Sequence, residues 1–308
     1  MRAASISQEA LPAVRLILAG IALFQASCAK EIPSETRPPN KQPTLRSPAI
    51  NEASGMAHSP TRRDVLWIIN DSGNTPDIHL AGTDGSDFGK LTVKDTPNID
   101  WEDLASFTLD GKPYLLVADT GDNASRRDSC VIHILREPKL PAAGKQLALT
   151  SSPAWSIRFR YEDGPRDCEA VAVDAKGEKI ILISKRTKPP VVYELPLRPT
   201  GKRGIMTAKR IGTTEVKPAG GSLIPFFDQP TGLDISADGS FAAVITYQRV
   251  FLFPRADDES WADAFAKTPQ ALPPHRLGQA ESVAISPDGA TIRAVSEGAK
   301  SPIRIYHR

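Results

Sequence analysis

Apolar positions along most of this chain come in short runs, rich in β-branched and aromatic residues and bounded by polar turn residues. Val65-Leu-Trp-Ile-Ile69, Tyr114-Leu-Leu-Val-Ala118, Phe241-Ala-Ala-Val-Ile245 and Val250-Phe-Leu-Phe253 are of this kind. Such runs predict strands. Ala237-Asp-Gly239 and Pro287-Asp-Gly289 fall between paired runs and supply hairpin turns. The best helical candidate in the body is Glu259–Ala266, and it is short. The pattern predicts an all-β chain.

One motif recurs: a polar residue, two or three small or apolar residues, then a turn and another apolar strand. Its five copies begin at Glu52, Trp101, Cys168, Pro230 and Ala280, and their alignment places Ser54, Glu102, Glu169, Thr231 and Glu281 at one equivalent position. The successive spacings are 48, 67, 62 and 50 residues. Repeats of this size with three or four strands each predict a β-propeller, because one small sheet cannot bury both faces without neighbours. The expectation is five four-stranded blades over residues 43–308; six, with the extra blade inside the longest gap, is the alternative. Tyr114–Ala118, Cys130–Leu135 and Trp155–Arg160 fill that gap as strands of one blade. The last repeat has room for three strands only, so the segment Thr44–Ser47 is expected to close it from the N-terminal side.

Composition narrows the class. With 40% hydrophobic and 24% charged residues the chain is not a disordered one. A formal net charge of +2, from 38 basic and 36 acidic residues, gives no reason to expect nucleic acid as a partner. Residues 1–27 read as a signal peptide: Arg2 and Arg15 precede the apolar run Leu16–Phe24, too short to span a bilayer. Ala26-Ser27-Cys28 resembles a lipoprotein signal that acylates Cys28, with Gln25 where an aliphatic residue is usual; ordinary cleavage after Ala29 is the other reading. Residues 28–42 are polar and Pro-rich, as expected of a tether. The protein is therefore expected to be exported, as a secreted or periplasmic protein or a membrane-anchored lipoprotein, and monomeric. Cys130 and Cys168 are open to a disulfide in an oxidising compartment, but two buried, unpaired thiols are the favoured reading.

In a propeller the inner strands all start at one axial face, and the corner after each second strand returns there. Ser54, Asp100, Trp101, Glu102, Asp167, Glu169, Thr231 and Glu281 then meet around the axis, and the three glutamates crowd one rim, where carboxylates either hold protons or are neutralised by a cation. Asp, Glu and Asn oxygens with Ser or Thr hydroxyls suit Ca²⁺. The competing reading is that these acids accept backbone N–H bonds or pair with Arg126, Arg127, Lys185 and Arg186. The corners Asn70-Asp-Ser-Gly-Asn74 and Asp119-Thr-Gly-Asp-Asn123 stack more Asp and Asn than a turn requires. Asn70, Asp71, Asp119, Asp122 and Asn123 are accordingly candidate ligand-binding residues, with Arg127, Lys185, Arg186 and Tyr247. Trp101 is a candidate to stack on a ligand at the mouth, although a Trp there more often packs between blades. No Gly-x-Ser-x-Gly or His-Glu-x-x-His motif occurs, so serine-hydrolase and zincin mechanisms lack support.

Glu52-Ala-Ser-Gly-Met56, Trp67–Asn74, Asp100–Ala105, Asp119–Asn123 with Arg127, and Arg136-Glu-Pro138 resemble a group of uncharacterised secreted bacterial β-propeller proteins, over residues 50–138. More distantly, the later repeats resemble WD-repeat-like, gluconolactonase-like and phytase-like propellers. That resemblance implies an axial divalent metal, usually calcium, and hydrolysis of lactones or phosphate esters, but it carries no catalytic residue across. Two expectations follow. The first is an exported module binding a small-molecule or protein ligand at an acidic axial face, with Ca²⁺ as an ion. The second is a metal-dependent hydrolase using Glu102, Glu169 and Glu281 as ligands or base, with Arg127 or Lys185 holding the anion.

Overall fold

The computed structural model of the chain describes residues 42–142, 145–199, 204–216 and 227–308. The expected signal peptide, Cys28 and all but the end of the tether lie outside the described residues.

The described residues form strands throughout, with one short helix. The first are β1 (Ala53–His58), β2 (Val65–Asn70), β3 (Asp77–Gly82) and β4 (Asp87–Val93). Next come β5 (Trp101–Leu109), β6 (Lys112–Asp119), β7 (Cys130–Arg136), β8 (Leu147–Ser151) and β9 (Trp155–Tyr161). Then follow β10 (Ala170–Asp174), β11 (Lys179–Ile183), β12 (Val191–Pro196) and β13 (Met206–Thr213). The chain ends with β14 (Gly232–Ile235), β15 (Phe241–Ile245), β16 (Val250–Pro254), helix α1 (Trp261–Ala266), β17 (Gln270–Ala271), β18 (Ala280–Ile285), β19 (Thr291–Ser296) and β20 (Arg304–His307).

Strands β1 to β4 make an antiparallel meander, to whose outer edge β8 adds in parallel. The next sheet has eight strands in the order β10-β11-β12-β13-β9-β7-β6-β5. Its halves join through the parallel pair β13–β9, and its end strands β5 and β10 lie side by side, so the sheet nearly closes on itself. Strands β14 to β17 and β18 to β20 form two further antiparallel sheets. Five inner strands pack in a closed circuit: β1 on β5, β5 on β10, β10 on β14, β14 on β18 and β18 on β1. This is a propeller-like, all-β architecture. The N-terminal segment meets the last sheet as expected: Thr44 bridges Pro302, and the Leu45 N–H donates to the Ser301 carbonyl at 2.9 Å.

The burial pattern follows from this layering. Every residue of β1 and β2 is buried, because each inner sheet is covered on both faces by its neighbours. The outer strand β9 alternates between buried and exposed instead. Apolar clusters fill the wedges between sheets, as where Trp67 and Trp101 meet Leu115 and Leu135. Helix α1 starts at the N-cap Ser260, whose hydroxyl accepts the Asp263 N–H, and lays Phe265 against Phe253. Cys130 and Cys168 are both buried free thiols, as the sequence reading favoured.

Close approach at the hub imposes small residues. A Cβ at Gly55 would stand 2.5 Å from the Leu104 nitrogen, and one at Gly232 2.5 Å from the Glu281 carbonyl oxygen. Hydroxyls tie the inner strands together through their neighbours' carbonyls: Ser54 donates to Trp101 (2.8 Å), Thr231 to Ala280 (2.7 Å) and Ser282 to Ala53 (3.3 Å). One carboxylate does most of the stitching. Asp103, fully buried on β5, accepts the N–H groups of Leu104 (2.8 Å), Val171 on β10 (2.8 Å) and Leu233 on β14 (3.0 Å). Asp234 on β14 extends the pattern by accepting the Ile285 N–H of β18 at 2.7 Å.

Replacing Asp103 by Ala strips the Val171 and Leu233 amides of their acceptor in a dry interior. At roughly 1–3 kcal/mol per orphaned group, chemical denaturation is expected to show a loss of about 3–5 kcal/mol. The exposed control Asp257→Ala is expected to stay within about 0.5 kcal/mol of wild type. A loss below about 1 kcal/mol for Asp103→Ala would contradict the bridging role.

Candidate functional site

The face where the inner strands start gathers acids from separate sheets. Asp100 and Glu102 flank Trp101, and Asp167 and Glu169 flank Cys168, so each pair shares the i, i+2 spacing that puts extended-chain side chains on one face. Ser54, Glu102 and Glu281 sit where the pairing of β1, β5 and β18 slips by one residue, a bulge that turns the side chain towards the rim. Asp71 arrives from the corner after β2. Asn98 holds that corner against the start of β5: its amide donates to the Asp71 carbonyl at 2.8 Å, and its side-chain oxygen accepts the Trp101 N–H at 3.0 Å.

Two carboxylate clusters result. Oxygens of Asp71, Asp100 and Glu102 lie within 4.8 Å of one another, as do oxygens of Glu102, Asp167 and Glu169. Glu102 belongs to both. Its side chain is 5% exposed and, among the described residues, has neither a hydrogen-bond donor nor an ion-pair partner.

The basic residues are tied to the second cluster and its surroundings. Lys185, 4% exposed, pairs with Glu169 and also donates to the Tyr247 hydroxyl at 3.2 Å. Tyr247 in turn donates to Glu281 at 2.8 Å. Arg186 pairs with Asp167 at 2.6 Å and also donates to Asn123. Arg127 pairs with Asp119 at 2.7 Å. Asp122 accepts the backbone N–H groups of Arg126 and Arg127, both at 2.8 Å.

Burial pushes the Glu102 carboxyl well above the usual carboxylate range, and the carboxylates of Glu169, Asp71, Asp100 and Asp167 push the same way. Burial lifts Glu169 to about 7 against the pull of Lys185. Glu281 is pushed up to about 9 by burial, then by Glu169 and Glu297. Asp71 and Asp100 are also raised, chiefly by burial. For Lys185, burial favours the neutral amine, but the Glu169 carboxylate prevails and holds the side chain charged.

The sequence-predicted residues separate into groups. Asp71, Glu102, Glu169, Lys185, Arg186, Tyr247 and Glu281 come together at this face. Glu281 stands outside both carboxylate clusters, so the three glutamates do not form one ligand set. Trp101 does not face the mouth: it is fully buried in the apolar wedge with Trp67, where an indole fills space between sheets. Ser54 and Thr231 offer their hydroxyls to backbone carbonyls rather than to a cation. Asn70 is occupied by turn contacts, accepting the Glu52 N–H at 3.3 Å and donating to the Ala49 carbonyl at 2.7 Å. Asp119 and Asp122 are engaged as described, and the expected pairing of acids with Arg and Lys holds for Asp119, Asp167 and Glu169. Sequence reasoning missed Gly121, Asn98 and Phe227, whose ring packs edge-on against Tyr247 at 5.8 Å. A cavity of about 150 Å³ opens at the other end of the inner strands, lined by His58, Ser106, Asp174, Asp234 and Ser286 among others.

No protein-family model matches the chain, and no curated protein matches it. Among solved structures it is similar to Kuenenia stuttgartiensis hydrazine synthase, with 11% identity, a TM-score of 0.42 and 83% of each chain covered. None of these comparisons ties the chain to the gluconolactonase-like, phytase-like or WD-repeat-like propellers.

A carboxyl whose folded pKa is raised binds its proton more tightly in the folded than in the unfolded chain. It stabilises the fold at low pH and loses that contribution as pH climbs through the folded value. With chelator present, the melting temperature is therefore expected to fall between pH 7 and 9, the window set by Glu281 at about 9. Glu281→Gln keeps an acceptor for Tyr247 and removes the titrating proton, so its profile should be flatter over that window. A wild-type melting temperature that rises from pH 7 to 9 would refute the assignment.

Proposed function

We propose that this chain is an exported five-bladed propeller that binds a ligand at its acidic axial face without transforming it. The blades in this reading are β1–β4, β5–β7 with β9, β10–β13, β14–β17, and β18–β20 completed by the segment around Thr44. Support for five comes from the closed circuit of inner strands and from the cavity whose wall takes residues from the far end of each one. Strand β8 is then an addition to the outside of the first blade.

The observation that carries the binding reading is the Glu102 carboxylate, buried without a partner at the vertex shared by two acidic clusters. A buried carboxyl without a partner is costly whether it ionises or holds its proton, and a fold that keeps one at a solvent-facing rim has a use for it. The ligand this face suits carries positive charge, as a hard cation or as an organic ammonium or guanidinium group. Hydrolysis of a phosphate ester is disfavoured, because Lys185, Arg186 and Arg127 each already pair with an acid. Export belongs to the same proposal, with Cys28 as the candidate anchor; a lipid-modified Cys28 in the mass spectrum of the membrane fraction supports anchoring, and an unmodified N-terminus after Ala29 excludes it.

A melting-temperature screen of the full chain tests the binding reading. Calcium, polyamines and basic peptides are expected to raise the wild-type midpoint, and Glu102→Gln is expected to lose most of that rise. An equal response in both proteins removes the face as the site. Turnover of a phosphate ester or lactone that Glu102→Gln abolishes would replace binding by hydrolysis.

A further inference from the structure

The two carboxylate clusters that share Glu102 are not equivalent. In the second, Asp167 and Glu169 already have Arg186 and Lys185 as ion-pair partners. In the first, Asp71 and Asp100 form no ion pair among the described residues; Asp71 accepts the neighbouring Ser72 N–H at 2.5 Å, and the Ser72 side chain lies beside both carboxylates. The first cluster is thus the one without an ion pair of its own, with Lys185 and Arg127 acting on it only from a distance.

Gly121 marks the same spot. A Cβ built on it would lie 2.2 Å from a Glu102 carboxylate oxygen and 2.3 Å from one of Asp100, so the two carboxylates pack against its Cα and any side chain there would push them aside. Gly121 is not in the left-handed region that demands glycine on backbone grounds. The placement of the two carboxylates, rather than the turn, is what its missing side chain preserves.

We propose that Asp71, Asp100 and Glu102 hold a hard divalent cation of the calcium type between their carboxylates, while Lys185 and Arg186 are the built-in counter-ions of the neighbouring cluster. This rests on the reading of the acidic face as a binding site and names its occupant. Carboxylate oxygens are the donors that such a cation prefers. Three carboxylates leave open part of the six to eight oxygen positions that calcium takes. Asp71 and Asp100 are only half-buried, so the remaining positions face solvent and are available to water or to the oxygens of a ligand. The ring of Glu102, Glu169 and Glu281 is not the ligand set: Lys185 neutralises Glu169, and Tyr247 donates to Glu281.

Calorimetric titration of calcium chloride into the chelator-treated full chain tests this, with circular dichroism confirming that each variant is folded. Wild type is expected to bind one ion per chain. Asp71→Asn removes one ligand charge, and Gly121→Ala removes none but displaces the Glu102 and Asp100 carboxylates; each is expected to weaken binding by about tenfold or more, and Glu169→Gln by less than either. Loss of binding in Glu169→Gln with wild-type affinity in Asp71→Asn and Gly121→Ala would move the ion to the second cluster, overturning this inference while the acidic face survives. Silence of the wild type to calcium, with spermidine still raising its melting temperature, also overturns the inference alone. Silence to both removes the inference and the binding reading together.

Discussion

A carboxylate has no business in an apolar hub unless its oxygens are fully engaged. Asp103 meets that condition by accepting three backbone N–H groups, two of them from other inner strands, β10 and β14. Burial pushes its pKa well up, and the three donors oppose that push. The arrangement is a constraint as much as an attraction. Strands with only apolar contacts between them slide with little penalty, whereas strands that share one acceptor are fixed in height relative to each other. Asp234 repeats the device between β14 and β18, and hydroxyl-to-carbonyl bonds from Ser54, Thr231 and Ser282 link other neighbours in the circuit.

Because the heights are fixed, residues nearly a hundred positions apart along the chain meet at one rim. Asp100 and Glu102 enter from β5, Asp167 and Glu169 from the approach to β10, and Asp71 from the corner after β2. The protein then treats these acids unequally. It supplies Lys185 and Arg186 as ion-pair partners to one group and no ion pair to the other among the described residues, leaving Glu102 between a neutralised neighbourhood and a more open one. This unevenness, more than the number of acids, gives the face its chemical direction.

Much of this was legible in the residues. The apolar runs specify the strands, since a β-branched run bounded by Asp-Gly has few other options, and the three strands expected in the longest gap are β6, β7 and β9. The recurring motif placed Glu102, Glu169 and Glu281 on inner-strand starts for the same reason. What escaped was decided between segments. Strand β8 joins β4, and β13 joins β9, through parallel edge pairings that no local pattern announces. Asp103 looked like any polar residue in a strand, because its three donors come together only in the fold. Trp101 was assigned to the mouth by its place beside Glu102, but the alternation of a strand sends neighbouring side chains to opposite faces. Asp100 and Asp167, expected among the inner-strand starts, do join the glutamates at the rim, as the i, i+2 spacing of Asp-x-Glu at 100–102 and 167–169 requires.

The central claim is that one shared carboxylate locks the hub from which the rim is built. Residue-resolved hydrogen exchange tests it directly at the Val171 and Leu233 amides, which donate to Asp103 from two different strands. The account predicts that both exchange only through global unfolding, with protection equal to the stability found by denaturation. Exchange of either amide as fast as that of the exposed turn at Gly111 would show that the lock does not exist.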